Sequence, residues 1–239
     1  MELTSKSITN QPRKIATAAG VLYILGIIAG ILSISYVIDD PEYLVKAASD
    51  THGVLVTAFF HLLMAPIYVG VAIVQYPVLR KYNQLLAFGF AGFRIMAGVF
   101  IVIGVIVLLL LLSLSQEFVN AGRPGGSYFQ TMGVLLQTGR DLLNHVATII
   151  SVCIGGLMYY SLLFQTKLVP RWLSGWGLLG TTLAIAASLL FLFRVIGIIT
   201  PIYLALNVPM ALQEIVLAVW LIVKGFNSSV MVPDRARGN

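Results

Sequence analysis

The sequence predicts an all-α polytopic membrane protein, a bundle of six transmembrane helices with both termini in the cytoplasm. Three observations lead to it: an apolar composition, six apolar stretches of spanning length, and basic residues concentrated in alternate connecting segments. Hydrophobic residues occupy 59% of the 239 positions and charged residues only 10%, whereas a soluble domain has roughly 25% charged residues. Such a chain cannot cover a water-exposed surface with polar side chains, so we expect one integral membrane domain.

Six stretches of the chain are long and apolar enough to cross a bilayer, which takes about 20 apolar residues. The predicted helices are 16–37, 53–76, 85–114, 142–164, 172–193 and 202–223. A further segment, 128–136, is predicted to form a short helix that lies along the membrane surface. The predicted organisation is an N-terminal segment 1–14, a transmembrane domain 15–226 and a polar tail 227–239.

The charged residues are distributed unequally between the two sides of the predicted bundle. Ten of the fifteen Lys and Arg residues lie on the side of the termini, four lie on the opposite side, and Arg94 is inside a predicted helix. The acidic residues show the reverse pattern, with two on the side of the termini, six opposite and Glu214 inside a helix. Because Lys and Arg are enriched in cytoplasmic segments, both termini are predicted to be cytoplasmic.

Composition and motifs exclude several functional classes. The net charge of +6 is spread over short segments and forms no basic patch, so nucleic-acid binding is not expected. Cys153 is the only cysteine, so the chain cannot form an intrachain disulfide or a thiolate metal cluster. The hydrolase motifs GxSxG, HExxH and GxGD are absent, as are phosphate-binding glycine loops. We predict no cofactor and no catalytic residue, and the sequence argues against an enzyme.

Arg94 is a full charge inside the longest apolar stretch, 85–114. A guanidinium deep in hydrocarbon costs about 2.5 kcal/mol or more unless it meets a counter-charge, a polar cavity or water. Ala87, Ala91 and Gly98 share its helical face. Small residues of this kind indicate that the face packs against another helix and not against lipid.

Glu214 is the other formal charge inside an apolar stretch, and it lies on a polar face of the sixth predicted helix. Asn207 shares that face, Gln213 lies beside it, and Pro209 precedes Glu214 by about one turn. By residue count Glu214 lies near the middle of its helix, where a long side chain can reach Arg94. Two interpretations stay open: a structural ion pair that fixes helix register, and a ligand site or proton-linked carboxylate.

The fourth predicted helix carries a polar stripe that includes Asp141, Asn144, His145 and Thr148, spaced three or four residues apart. This period indicates a face directed toward a polar interior. Asp141 precedes His145 by one helical turn and is placed to orient its imidazole. With His61 of the second helix they could bind zinc, or the two histidines could ligate haem. The alternative is that each histidine hydrogen-bonds a neighbouring helix.

Several phrases along the chain resemble one protein family. They are GVLYILGIIAGILSISYV, HLLMAPIYVGVAIV, YPVLRKYNQLLAFGFAGFRI, LLLLLSLSQEFV, SYFQTMG, LVPRWLSGWGLLG and ALQEIVLAVWLIVKGFN. Together they extend from Ile15 to Asn227 and resemble the bacterial membrane family catalogued as domain of unknown function 4386. The resemblance implies a multi-pass protein of the bacterial cytoplasmic membrane, and it implies no activity, substrate or site residue.

Three functional classes are compatible with these residues. We favour a non-catalytic small-ligand or lipid-binding module, or a membrane subunit, with a buried polar site. The first alternative is a small transporter with a midplane Arg94–Glu214 site, in which Pro66 and Pro209 interrupt the helices. The second alternative is an intramembrane metal-dependent enzyme. Membrane lipids are the expected partners, and a small-molecule or protein partner stays open. The predicted ligand-binding residues are Arg94, Glu214, Gln213, Asn207, Asp141, Asn144, His145 and His61.

Overall fold

The fold consists of helices joined by short turns, and a computed structural model describes it over residues 2–123 and 128–230. In chain order the helices are α1 (Glu2–Leu32), α2 (Tyr43–Ser49), α3 (Thr51–Leu79), α4 (Gln84–Asn120), α5 (Tyr128–Leu142), α6 (Ile149–Thr166), α7 (Arg171–Leu192) and α8 (Pro201–Val223). A π-helical turn, Leu143–Thr148, joins α5 to α6, and a 3-10 turn, Ser228–Val230, follows α8. The all-α prediction is confirmed. The predicted polar tail 227–239 lies outside the described residues from position 231 onward.

Six helices in the described part of the chain are long and apolar enough to cross a membrane. They are α1, α3, α4, the continuous helix from α5 through the π turn to α6, and then α7 and α8. An even number of spans brings both ends of the chain to one end of the bundle, which we call the termini end. The opposite end carries α2, α5 and the segments 33–42 and 193–200, and we call it the loop end.

The six spans form a ring in chain order. Each span contacts the one before it and the one after it, and α8 closes the ring on α1. α4 and α8 are the third and sixth members of this ring, so they stand on opposite sides of it. Inward-facing side chains of α4 therefore point across the bundle toward those of α8.

Glycines allow neighbouring spans to touch at the backbone. A Cβ atom at Gly20 would lie 2.6 Å from the carbonyl oxygen of Ala218, so α1 and α8 meet there with no room for a side chain. A Cβ atom at Gly180 would lie 2.9 Å from the backbone nitrogen of Met210, which marks the same kind of contact between α7 and α8. Such small residues are typical of helix interfaces in membranes, where close backbone approach replaces the hydrophobic effect.

The small residues beside Arg94 also lie at a helix contact. Ala87 and Gly98 are buried, and a Cβ atom at Gly98 would lie 3.4 Å from the carbonyl oxygen of Ala65 on α3. The predicted packing role of this face of α4 is therefore confirmed. The same close contact between α3 and α4 positions the Arg94 side chain inside the ring.

A hydrophobic cluster packs α2 against the loop end of α4. Tyr43 and Leu44 of α2 pack with Leu108 and Leu112 of α4. The hydroxyl of Ser115 donates a hydrogen bond of 2.6 Å to the carbonyl oxygen of Leu44. This contact explains why a helix of only seven residues forms, since an isolated helix of that length is unstable in water.

Two predicted segments of the loop end differ from the structure. The first predicted helix, 16–37, ends instead at Leu32, where the Ser33 hydroxyl donates a hydrogen bond to the carbonyl oxygen of Gly30. The predicted surface helix 128–136 is not a separate element, because α5 continues through the π turn into α6 and packs on α4. The fourth span is consequently longer than the predicted 142–164.

The irregular backbone of the bundle lies at the π turn and not at the internal prolines. α3 stays helical through Pro66 and α8 through Pro209, so the helix breaks expected of a transporter do not occur at these residues. In contrast, Leu143–Thr148 winds as a π helix. Single π-helical turns are rare and frequently occur at functional sites, because the wider turn redirects side chains.

Candidate functional site

Arg94 and Glu214 form an ion pair across the middle of the ring. Arg94 Nη2 lies 3.6 Å from Glu214 Oε1, and their side chains are only 4% and 17% exposed. Arg94 is ten residues from the start of α4 and Glu214 is nine residues from the end of α8. At 1.5 Å per residue, both lie about 15 Å from the termini end. The equal depth allows the two side chains to meet between opposite helices.

Three aromatic rings surround the guanidinium of Arg94. Its Cζ lies 5.1 Å from the ring centre of Tyr68, 5.5 Å from that of Phe90 and 5.7 Å from that of Tyr23. A cation is attracted to a ring face at these distances. Arg94 Nε is buried and has no hydrogen-bond partner among the described residues. Because 3.6 Å also exceeds hydrogen-bond distance, the guanidinium retains unused donors.

Two cavities adjoin the ion pair and a third lies beside them toward the loop end, and Tyr68 lines all three. A cavity of about 120 Å³ between α1 and α3 contains both Arg94 and Glu214 in its wall. A second cavity, of about 190 Å³, is lined by Asn207 and Glu214 on α8 and by Thr148. The third, of about 390 Å³, is lined by residues of the loop-end segments 33–42 and 193–200, and we call it the loop-end chamber.

The π turn supplies polar side chains to the loop-end chamber. Asn144, His145 and Thr148 line it from this turn, and His61 lines it from α3. His145 Nδ1 lies 2.9 Å from the hydroxyl of Tyr203 on α8. Asn144 Oδ1 and Thr148 Oγ1 are buried and, within residues 11–123 and 128–230, have no hydrogen-bond partner. Unsatisfied buried polar atoms are costly, so these positions suit a polar ligand or water.

An ion pair lies at the rim of the loop-end chamber. Arg140 Nη1 of α5 is 2.9 Å from Asp39 Oδ1, and both residues line the chamber. The same nitrogen is 3.5 Å from Asp141 Oδ1. Asp39 follows α1, so this pair ties α5 to the end of the first span.

A hydrogen-bonded layer fills the ring on the termini side of Arg94. The hydroxyl of Tyr159 donates to Gln75 Oε1 and that of Tyr160 donates to Gln213 Oε1, each at 2.7 Å. Gln213 Nε2 in turn donates to the carbonyl oxygen of Leu173 at 3.2 Å. Both glutamines are fully buried. We call Gln75, Tyr159, Tyr160 and Gln213 the buried polar layer.

The structure does not assemble the zinc arrangement considered from the sequence. No cluster of three His, Cys, Asp or Glu side chains that could hold a metal ion occurs in the described part of the chain. His145 contacts Tyr203 and not Asp141, whose nearest charged partner is Arg140. The physical reason is the π turn, which begins between Asp141 and His145 and changes the spacing that an α-helix would give them.

Six of the eight predicted residues line the cavities and two do not. The lining residues are Arg94, Glu214, Asn207, Asn144, His145 and His61. Gln213 belongs to the buried polar layer, and Asp141 contacts the rim at Arg140. Sequence reasoning missed Tyr23 and Tyr68 beside Arg94. The sequence did contain a signal for them, because each is a tyrosine in the middle of a predicted span, whereas tyrosines of membrane proteins normally concentrate at the interfaces.

A separate groove of about 480 Å³ lies at the termini end. Lys167 lines it from the turn before α7 and Arg171 from the first residue of α7. Trp220 and Lys224 line it from the end of α8. Basic and aromatic side chains at the end of a span are typical of contact with lipid headgroups.

A protein-family model described as a domain of unknown function (DUF4386) matches residues 18–225 of the chain. The matched region includes the first span from residue 18 onward, the other five spans in full, and every residue of the ion pair, the loop-end chamber and the buried polar layer. Comparison with curated proteins and with solved structures finds no match.

Proposed function

The chain belongs to the family described as a domain of unknown function (DUF4386), and we propose that it is a non-catalytic membrane protein that binds a small molecule or lipid at the Arg94–Glu214 pair. Its six apolar helices are those of a multi-pass membrane protein. We propose further that both termini face the cytoplasm, because ten of the fifteen Lys and Arg residues lie on their side.

One observation carries the proposal: a buried guanidinium with unused donors adjoins empty space. Arg94 Nε has no hydrogen-bond partner among the described residues, and the Arg94–Glu214 pair forms part of the wall of a cavity of about 120 Å³. A ligand with an acceptor group would satisfy Arg94 there without removing Glu214. The aliphatic side chains of Leu22, Ile67 and Val71 line the same cavity and would contact an apolar part of the ligand.

The competing interpretation is an ion pair with a purely structural role. A buried pair stabilises a fold only when good geometry and further hydrogen bonds offset the desolvation of both charges. The separation of 3.6 Å and the unsatisfied Nε of Arg94 do not meet that condition. A ligand would supply the missing hydrogen bonds, and this favours a binding role.

A transporter is the second candidate, supported by the irregular π backbone beside a charged site in mid-membrane. Binding and transport are distinguished by movement of the ligand across the membrane. A transporter in proteoliposomes would exchange internal labelled ligand for external unlabelled ligand, whereas a binding module would hold the ligand without this exchange.

Native mass spectrometry of the protein in lipid nanodiscs tests the binding proposal. We expect wild-type protein to retain a molecule at fixed stoichiometry, which is then identified by extraction. Arg94→Lys should reduce its occupancy at least about tenfold, because lysine keeps the charge and loses the planar donors of the guanidinium. The matched control is Arg194→Lys, at an exposed arginine of the loop end.

Two outcomes contradict the binding proposal. The first is a wild-type protein without any retained molecule, when it is transferred from the native membrane to nanodiscs without detergent. The second is equal retention by wild type, Arg94→Lys and Arg194→Lys, which would place the molecule elsewhere on the protein.

We propose that the termini-end groove binds the headgroup of an anionic membrane lipid. Lys167, Arg171 and Lys224 supply the positive charge, and Trp220 is an aromatic residue at the end of a span. Replacing the three basic residues by glutamine should remove lipid that is retained in wild type when the nanodisc contains phosphatidylglycerol. Replacing Lys46, Arg123 and Arg194, three exposed basic residues of the loop end, by glutamine is the matched control.

A further inference from the structure

Thr148 lies between the loop-end chamber and the cavity that contains Glu214, together with Tyr68 and Ile149. Thr148 lines the chamber of about 390 Å³ and also the cavity of about 190 Å³ that contains Glu214. It is 8% exposed, and its hydroxyl has no hydrogen-bond partner among the described residues. A buried hydroxyl without a partner between two polar cavities suits contact with water or with a passing polar ligand.

The two ends of the ring differ in how they are filled. Toward the loop end, polar side chains of the π turn surround open space. Toward the termini end, the buried polar layer is followed by Leu217 and Leu221, which are also fully buried. Cavities with polar side chains in their walls therefore lie between Glu214 and the loop end, whereas packed side chains separate Glu214 from the termini end.

The charged groups along this path are balanced. Arg140 and Asp39 line the loop-end chamber, and Arg94 and Glu214 line the cavity of about 120 Å³. Two cations and two carboxylates give the lining no net charge. A cleft lined by charges of one sign would concentrate ions of the opposite sign, whereas a balanced lining favours no sign of ion.

We propose that the loop-end chamber is a hydrated vestibule through which small polar molecules without net charge, including zwitterions, reach the Arg94–Glu214 pair from the loop end only. The identity of the pair as the destination rests on the proposed function. The hydration and the one-sided access rest on the chamber itself. At the pair, the anionic group of a zwitterion would accept from Arg94 and its ammonium group would donate to Glu214.

Cysteine labelling tests the vestibule because Cys153 is the only native cysteine. Thr148→Cys is introduced into a Cys153→Ala background and exposed to two membrane-impermeant methanethiosulfonates, one cationic and one anionic. Intact cells and inverted membrane vesicles present opposite ends of the protein to the reagent. We expect Thr148→Cys to react with both reagents in only one preparation, the one in which the loop end is exposed.

Four control cysteines define the two ends and the membrane interior. Tyr36→Cys, at a residue 81% exposed in the loop-end segment, identifies the preparation that exposes the loop end. Lys81→Cys, at an exposed residue in the turn before α4, identifies the termini end. Thr182→Cys, on the exposed face of α7, reports reaction from the lipid phase, and Ser174→Cys, fully buried near the termini end, reports general loosening.

The rates at which the cationic and the anionic reagent modify Thr148→Cys test whether the lining of the chamber carries a net charge. We expect the ratio of cationic to anionic rates at Thr148→Cys to lie within about threefold of the ratio at Tyr36→Cys, whereas a focused field of one sign would change it about tenfold or more. The proposal is overturned by absence of labelling at Thr148→Cys, by labelling from the termini end, or by a tenfold bias toward one reagent.

The labelling result and the proposed function can fail separately. A labelled Thr148→Cys together with a nanodisc protein that retains no molecule would leave the vestibule intact and remove the binding role of the pair. Retention of a molecule that depends on Arg94, with Thr148→Cys unlabelled from the loop end, would keep the binding role and overturn the vestibule.

Discussion

Arg94 shows how a single charge constrains the interior of this bundle. Its guanidinium contacts three aromatic rings and one carboxylate, and these groups come from α1, α3, α8 and α4 itself. Each of these contacts reduces the cost of a buried cation. Three other helices of the ring, α1, α3 and α8, therefore contact this one side chain of α4 near the centre of the bundle.

The ion pair predicts the effect of removing the carboxylate. Glu214→Gln should lower the free energy of unfolding by about 3 kcal/mol, because Arg94 is left buried without its counter-charge. The double variant Arg94→Gln/Glu214→Gln should recover more than half of this loss. Unfolding in mixed micelles, followed by helical circular dichroism, measures both. A double variant that is less stable than Glu214→Gln by the full cost of Arg94→Gln would show that the pair is not coupled.

The buried tyrosines give a matched comparison at the residue scale. Tyr159→Phe should cost about 1.5 kcal/mol, because Gln75 Oε1 loses the hydroxyl that donates to it and stays buried. Tyr23→Phe should change stability by less than about 0.5 kcal/mol, since the Tyr23 hydroxyl has no hydrogen-bond partner among the described residues. The same unfolding assay ranks the two variants, and equal costs would contradict the hydrogen-bond assignment.

At the scale of one helix, the contacts that its side chains make depend on the helices that pack beside it. The polar stripe from Asp141 to Thr148 is visible in the sequence, and its α-helical spacing predicts an Asp141–His145 contact. The π turn replaces that contact with one between His145 and Tyr203 of α8. Polar periodicity cannot reveal a change of helix type across six residues. The expected contacts are deduced by assuming the α-helical period, which does not hold in a π turn.

The backbone contact at Gly20 leads to a prediction about the stability of two glycine variants. Gly20→Ala should destabilise the protein by about 2 kcal/mol, since the new methyl group would lie 2.6 Å from the Ala218 carbonyl oxygen and force α1 from α8. Gly92→Ala, at a glycine with open space around its Cβ position, should be neutral or stabilising by up to about 1 kcal/mol. A thermal unfolding series in one detergent compares them. If Gly20→Ala is as stable as Gly92→Ala, the two helices are not in backbone contact at this residue.

At the scale of the whole molecule, the order of spans around the ring determines which residues meet. α4 and α8 lie on opposite sides, so the two charges that are far apart in the sequence become partners. The loop-end chamber lies on the loop side of this pair and the buried polar layer lies on the termini side. This asymmetry makes the orientation of the protein in the membrane relevant to any ligand.

The distribution of basic residues predicts that orientation. In intact cells, Tyr36→Cys in the Cys153→Ala background should react with an impermeant maleimide, because the loop end is predicted to face away from the cytoplasm. Lys81→Cys should react only after the membrane is permeabilised. Labelling of Lys81→Cys and protection of Tyr36→Cys in intact cells would reverse the assignment of the two ends.

The sequence alone established the class of protein, the six spans and the residues that carry charge or hydrogen-bonding groups inside them. It could do so because the lack of water in a bilayer restricts spanning segments to long apolar helices and makes each buried polar residue conspicuous. The three-dimensional structure was needed to show that Arg94 meets Glu214, that Gln213 faces Tyr160 and not a cavity, and that Tyr68 lines all three cavities. These contacts depend on the order and rotation of the helices around the ring, which side-chain packing and glycine contacts determine jointly and no single helix encodes.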